Sequence, residues 1–287
     1  MTMPPLPPPP YTWSTIPLDV VGNPDRTVCP VQLRSGAPHP RVPKKEPYLF
    51  SAKMLDELTW AIWPWDNGSP EAVLLAGPKG AGKTSAIVQL AARCNIPVWR
   101  INLTVGTTVA HLKGKRGALD GSTVFYPGPV VEAMEAGGWL ILDEVSGAQP
   151  AVSLALFPVL EPNGEVYLEE AEPARYVRRS PDFRVFCTDN VLGFSQEENR
   201  FAYTGTNPDA NEAFLDRIGS TINVSYLPPE QEEQVALLHI GPGAVKEYVE
   251  LAIRVANEVR KQPGLPAFST RMVINWARRL SAGRRLA

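Results

Sequence analysis

The stretch LLAGPKGAGKTSAIVQLAARC, residues 74 to 94, runs from an apolar segment through a glycine-rich turn into an amphipathic one. Gly77, four residues, then Gly82, Lys83 and Thr84 give the spacing of a phosphate-binding loop. Glycines let the backbone turn tightly and bring its amides close to phosphate, and the start of the following helix adds further N–H donors. In this reading Gly77, Pro78, Lys79, Gly80, Ala81, Gly82, Lys83, Thr84 and Ser85 wrap a nucleotide's phosphates. Lys83 reaches the β and γ phosphates, and the Thr84 hydroxyl ligates Mg²⁺. The loop alone leaves its use open: a switch, phosphoryl transfer, copying or unwinding of nucleic acid, or the driving of a machine.

A second cluster narrows the choice. WLILDEV ends an apolar run in Asp143 and Glu144, and carboxylates at the C-terminal edge of a buried strand face the place where open α/β sheets bind ligands. Asp143 would hold the Mg²⁺ sphere and Glu144 would polarise an attacking water. A kinase or a plain switch has no need of that second carboxylate; hydrolysis does. Asn190, just past RVFCT, either orients the water between the carboxylates and the γ-phosphate or caps a helix. Arg217 and Arg271 are candidates for stabilising charge on the transferred phosphoryl group, although arginines more commonly face solvent.

Elements able to hold these residues are legible in the hydrophobic pattern. Ser51 precedes a helical repeat of Met54, Leu55, Leu58 and Ile62. The runs at 72–76, 98–102, 139–143 and 184–188 have the length of buried strands, and 83–93, 129–136 and 150–161 read as helices between them. Such alternation predicts an α/β fold, a parallel sheet with helices on both faces, over residues 48–228. After Pro228 and Pro229 only helical patterns follow, so residues 229–287 are expected to form a small C-terminal helical domain. Residues 1–47 hold 13 of the 30 prolines, six of them in PPLPPPP, and read as an extended arm. Trp13, Ile16, Leu18, Val20 and Val21 make that arm apolar enough to dock on something.

Composition excludes several classes. Hydrophobic residues make up 44% of the 287 and charged residues 20%, and no run of eighteen apolar residues suggests a membrane span. The start lacks the pattern of a signal peptide. Three scattered cysteines and three scattered histidines form no disulfide framework, zinc spacing or hydrolase triad, and a reducing cytoplasm is expected. A net charge of −2 argues against a chain built mainly to neutralise nucleic acid, yet Arg271, Arg278, Arg279, Arg284 and Arg285 make its end basic.

Taken in order, the phosphate loop, LILDE, the asparagine after the next strand, the DR of FLDRIGS and a late helical arginine resemble an AAA+ ATPase. VPKKEPYLF, HLKGK, EVSGAQPAVSLALFPVLEPNGEVYL, FRVFCTDNVLG and YTGTN narrow the resemblance to the MoxR clade, and within it to CobS-type ATPase subunits of cobaltochelatase. The resemblance implies ATP and Mg²⁺, Glu144 as catalytic glutamate, Asn190 as the sensor-1 residue and Arg271 as the sensor-2 arginine of a lid domain. It makes Arg217 an arginine finger supplied to a neighbouring subunit, hence a homo-oligomeric, hexameric ring. It also implies a protein partner, often one with a von Willebrand factor A domain. A nucleic-acid motor built on the same ring is the competing expectation. Asp189 departs from the clade's small residue and puts an extra carboxylate near the metal. Residues 163–180 resemble the hairpin before sensor 1, whose Tyr176, Arg178 and Arg179 either grip a substrate or lie solvated.

Overall fold

In the computed structural model, residues 11–20, 23–27, 31–63, 71–190, 213–262, 264–265 and 267–283 are described. PPLPPPP, Val21, YTGTN, Arg284 and Arg285 lie outside them. The chain starts with four short strands, β1 (Tyr11–Ser14), β2 (Pro17–Val20), β3 (Asn23–Thr27) and β4 (Val31–Arg34), and helix α1 (Ala52–Ala61). The core follows as β5 (Ala72–Ala76), α2 (Lys83–Arg93), β6 (Val98–Asn102), α3 (Val109–Lys113), β7 (Gly114–Leu119), β8 (Ser122–Pro127) and α4 (Pro129–Ala136). It continues through β9 (Trp139–Asp143), α5 (Pro150–Leu160), β10 (Glu165–Leu168), β11 (Arg175–Arg178), β12 (Arg184–Asp189) and β13 (Ile218–Asn223). Three helices end it: α6 (Pro229–Ile240), α7 (Lys246–Arg260) and α8 (Thr270–Ser281).

Five strands form one parallel sheet in the order β13-β5-β12-β9-β6. AVLLA, WLILD and RVFCTD are buried throughout because each lies between two others and both faces are covered. Their side chains divide by the strand period of two. Ala72, Leu74, Leu140, Leu142, Val185 and Cys187 enter the core against α4 and α5, whereas Val73, Leu75, Trp139, Ile141 and Phe186 meet α1 and α2. The fifth strand, β13, escapes a search for apolar runs. IGSTIN is mostly polar because it is a sheet edge, with only Ile222 buried.

The proline-rich start adds to the second of these cores. β1 pairs with β4 and β2 with β3, both antiparallel, and Leu18, Val20 and Val31 are enclosed with Phe50, Leu55, Leu58 and Ile62. Gln32 donates to Asp182 at 2.7 Å, just before β12. The Gln32–Asp182 bond lies at the N-terminal end of β12, away from the end where ligands bind. The docking surface for the apolar residues Leu18 and Val20 is thus the chain's own core.

Two hairpins project from the sheet. β7 and β8 turn at Asp120-Gly121, a dipeptide suited to a tight hairpin, and β10 pairs with β11. Arg116 ties them together, its backbone N–H meeting the Glu170 carboxylate at 3.2 Å and its Nε the Glu170 carbonyl at 2.7 Å. The terminal helices α6, α7 and α8 have their own core of Ala236, Val249, Ala252, Ile253, Ala256, Phe268, Val273 and Ala277.

If residues 11–34 are part of the folded core, Leu18→Ala costs about 2–4 kcal/mol of stability, as for other enclosed leucines. Urea unfolding would read this as a lower midpoint at unchanged slope; a loss below about 0.5 kcal/mol, the range of surface changes, would detach this segment from the core.

Candidate active site

Strand register assembles the site. Asn102, Asp143 and Thr188 are level across β6, β9 and β12, and one residue further on Asp189, Ala76 and Asn223 are level across β12, β5 and β13. The residues that leave the sheet next, Gly77, Glu144 and Asn190, therefore emerge side by side. Gly77 has φ +152 and passes so close to Val224 that a Cβ there would lie 1.9 Å from its carbonyl oxygen. Gly80 has φ +71, and a Cβ on it would strike the Ser269 side chain at 2.7 Å. The glycines of the loop thus serve its packing on the sheet and on the helical domain, as well as its turn.

Lys83 opens α2 and is buried. Its ammonium donates to the carbonyls of Gly77 (2.6 Å) and Pro78 (2.9 Å) and to Asn190 Oδ1 (3.2 Å). Asn190 Nδ2 in turn donates to Glu144 Oε1 at 3.3 Å. One amide thus spans the lysine and the glutamate. Burial lowers the Lys83 pKa from the ordinary lysine value, against the pull of Asp189, Asp143 and Glu144.

Asp143 is buried, and its Oδ1 accepts from Thr84 Oγ1 and Thr188 Oγ1, both at 2.7 Å. Oδ2 forms an ion pair with Arg100 of β6. Thr84 and Asp143 offer adjacent oxygen donors, which suits a hard cation completed by phosphate and water. No cluster of three or more metal-ligating side chains exists among the described residues, and a Mg²⁺ held by one carboxylate plus substrate phosphates requires none.

Glu144 has φ 56, uncommon for a residue with a side chain. The turn after it, Val145–Gly147, is held by Asp189: Ser146 donates its N–H (2.9 Å) and its hydroxyl (3.0 Å) to that carboxylate. Asp189 thus binds the turn that carries Glu144 while its charge also acts on Lys83, and it accepts from the Asn190 N–H at 2.6 Å as well.

A cleft of about 1020 Å³ opens over these groups, lined by loop residues Lys79 to Ser85, by Asp143, Glu144, Thr188 and Asn190, and by Arg271 of α8. Gly77 and Pro78 lie beneath it as partners of Lys83. Tyr48 and Leu49 form another wall, in a segment held to α2 by the Glu46 N–H donating to Gln89 (3.0 Å) and by Gln89 donating to the Lys44 carbonyl (3.3 Å). Val235, His239 and Ile274 close the side towards the helical domain. Arg217 is the one predicted site residue that the chain does not bring here. It pairs with Glu161 at 2.9 Å and lies over the Phe157 ring.

On the hairpin, Tyr176 is 64% exposed and Arg178 pairs with Glu165. Arg179 does not share their exposure. It is buried, donates to the carbonyls of Leu160 (3.2 Å) and Glu161 (2.7 Å), and lies over the Phe183 ring. Its proposed grip on a substrate is therefore withdrawn, because burial has given the guanidinium a structural task. Sequence reading passed over Arg100, Thr188 and Tyr226. The first two sit on strands at the period-2 positions that share a face with the phosphate loop, the signal available for finding them. Among the described residues the thiols of Cys94 and Cys187 are buried, and burial pushes that of Cys94 up to about 12.

Comparison with known proteins agrees with this geometry. The family model of the AAA domain (dynein-related subfamily) matches residues 72–203. The aerobic cobaltochelatase subunit CobS of Sinorhizobium sp is 32% identical over 216 residues, 71% of this chain and 64% of that protein. The denitrification regulatory protein NirQ of Stutzerimonas stutzeri is 24% identical over 76% of this chain and 74% of its own. Midasin of Giardia intestinalis is 30% identical over 66% of this chain but only 4% of its own length. The chain thus spans just under two thirds of the CobS relative and a small part of midasin.

Gly80→Ala tests the contact between loop and helical domain. Left-handed strain and the clash with Ser269 together cost about 1–3 kcal/mol, so nucleotide affinity is expected to fall about tenfold or more. Equilibrium binding of a fluorescent nucleotide measures it, and unchanged affinity would show that the loop and Ser269 are not in contact.

Proposed function

We propose that the chain, which resembles AAA+ ATPases of the MoxR type, hydrolyses ATP in a hexameric ring of identical subunits and uses the cycle to remodel or activate a partner protein. The observation that carries the hydrolytic reading is Asn190 reaching from Lys83 to Glu144. The Asn190 amide is bonded to both Lys83, which would meet the γ-phosphate, and Glu144, so the phosphate's lysine and the base are held on either side of one amide. Glu144 takes the water's proton as it attacks, and Asn190 keeps the water in line. Lys83 and Arg271 balance the charge that grows on the phosphoryl oxygens. When bound, Mg²⁺ would be held by Thr84 and Asp143 and would draw charge from the β and γ phosphate oxygens.

Arg217 completes the site from a second copy in this reading. Its place outside its own chain's cleft, turned onto Glu161 and Phe157, supports that assignment. A ring follows, because each site then needs a neighbour.

The likeness to a cobaltochelatase subunit and a regulatory protein supports an activator of other proteins, and a protein with a von Willebrand factor A domain is the partner this reading favours. The linked hairpins, with Tyr126, Tyr167 and Tyr176 exposed, offer it a surface. A nucleic-acid motor draws less support. Of the arginines that favoured it, Arg179 is enclosed, Arg178 is paired, and Arg278 donates to the His239 carbonyl. We place the protein in the cytoplasm. Among the described residues Cys94 and Cys187 are free thiols, and no helix is long and apolar enough to cross a membrane.

Glu144→Gln is expected to bind ATP as the wild type does but to lose phosphate release by about 100-fold or more, the usual contribution of a general base; equal turnover would remove Glu144 from the mechanism. Capturing what stays bound to this variant with ATP distinguishes a protein partner from DNA. The shared site has its own test. Lys83→Ala and Arg217→Ala chains, each inactive alone, should regain hydrolysis when mixed, since some interfaces then join an intact Lys83 to an intact Arg217. Mixed rings without activity would place Arg217 outside the neighbouring site.

A further inference from the structure

The helical domain encloses a carboxylate whose polar contacts lead towards the phosphate loop and that the hydrolytic reading does not use. Glu232 of α6 is a carboxylate with no solvent exposure. Arg260, the last residue of α7, grips it with two hydrogen bonds, Nη1 to Oε2 at 2.9 Å and Nη2 to Oε1 at 2.8 Å. The Thr270 hydroxyl, at the start of α8, donates to the same Oε1 at 2.6 Å. One carboxylate therefore joins all three helices, and the residue after Thr270 is Arg271. A buried, two-pronged pair of this kind is rigid, since loss of either partner leaves a charge enclosed without its complement.

The contacts extend from there to the nucleotide loop. The Arg260 guanidinium lies 3.9 Å over the ring of Tyr226, in the segment where the chain passes from β13 to α6. Tyr226 then donates its hydroxyl to the Lys79 carbonyl at 2.9 Å, inside the phosphate loop. Ser269 and the Arg271 Cβ rest against Gly80, the next loop residue. The loop is held from two directions by atoms that all trace back to Glu232.

We propose that Tyr226, Arg260 and Glu232 form a positioning relay that registers the conformation of the phosphate loop and sets Arg271 over the cleft accordingly. None of the three needs to touch the nucleotide. Tyr226 reads one loop carbonyl, Arg260 and Glu232 pass its position to the first turn of α8, and Arg271 acts on the phosphates. The relay rests on the ATPase reading, because Arg271 is what it positions.

The test uses the full chain, Mg²⁺ and a fluorescent ATP analogue. Tyr226→Phe removes one hydroxyl and keeps the ring beneath Arg260, so helix content and melting temperature should stay at wild-type values. Binding of the analogue should weaken about three- to tenfold, the worth of one hydrogen bond. In an Arg271→Ala background the same change should cost less than about twofold, because the residue it acts through is gone. Glu232→Gln should follow the same pattern if it folds; if it does not, Tyr226→Phe decides alone. A loss below threefold, or one that persists in full beside Arg271→Ala, overturns the relay. Wild-type protein that fails to bind the analogue would end the ATPase reading and the relay together, whereas wild-type binding with an indifferent Tyr226→Phe ends the relay only.

Discussion

Parallel register between β5, β12 and β9 is the constraint on which the molecule depends. Backbone hydrogen bonds hold these three strands level to within one residue, so the phosphate loop, Glu144 and Asn190 must leave the sheet as neighbours. A slip of one residue in any strand would reverse its faces, sending Leu140 and Leu142 where Trp139 and Ile141 belong, and would misplace the site by the same step. Packing on both faces and the geometry of the site are thus enforced by one arrangement.

The two ends of the sheet spend their polar groups differently. At the N-terminal ends, Arg184 is buried and donates to the carbonyls of Ile62 (3.1 Å), Pro181 (2.7 Å) and Phe183 (3.0 Å), while Gln32 of the N-terminal ladders binds Asp182. These bonds seal backbone acceptors that would otherwise be left unsatisfied. At the C-terminal ends the polar groups, Lys83, Asp143, Thr188 and Asp189, bind one another and the loop. Their arrangement holds Glu144 in a left-handed turn that an unsupported glutamate seldom adopts. Among the described residues Glu144 is the one residue other than glycine, Asn or Asp with a left-handed φ.

The helical domain is more than a cover for the cleft. It supplies Arg271 and packs Ser269 against Gly80, and its own polar centre at Glu232 leads back through Tyr226 to the loop. A change in the loop on binding phosphate therefore meets the lid at two points. The two hairpins, for their part, are joined by the bonds of Arg116 to Glu170.

Much of this was determined by the sequence alone. GPKGAGKT, the carboxylates closing WLILDEV, the four apolar strands and the late helices follow from local rules of spacing and periodicity and suffice for an α/β nucleotide-binding fold with a helical lid, although 98–102, expected to be buried, is a sheet edge with only Trp99 enclosed. Tertiary structure decided what depends on residues distant in the chain. The polar edge strand β13 is a strand because β5 offers it a partner. Arg178 and Arg179 are adjacent in sequence, yet one faces solvent and the other is buried, since side chains alternate and only the fold says which face is covered. Asp189 binds Ser146 from 43 residues away, and Arg100 finds Asp143 on the neighbouring strand. Local sequence sets backbone preference and side-chain chemistry; the partner that pairs a carboxylate with an arginine, a turn or a helix start is set by which segments the fold brings together.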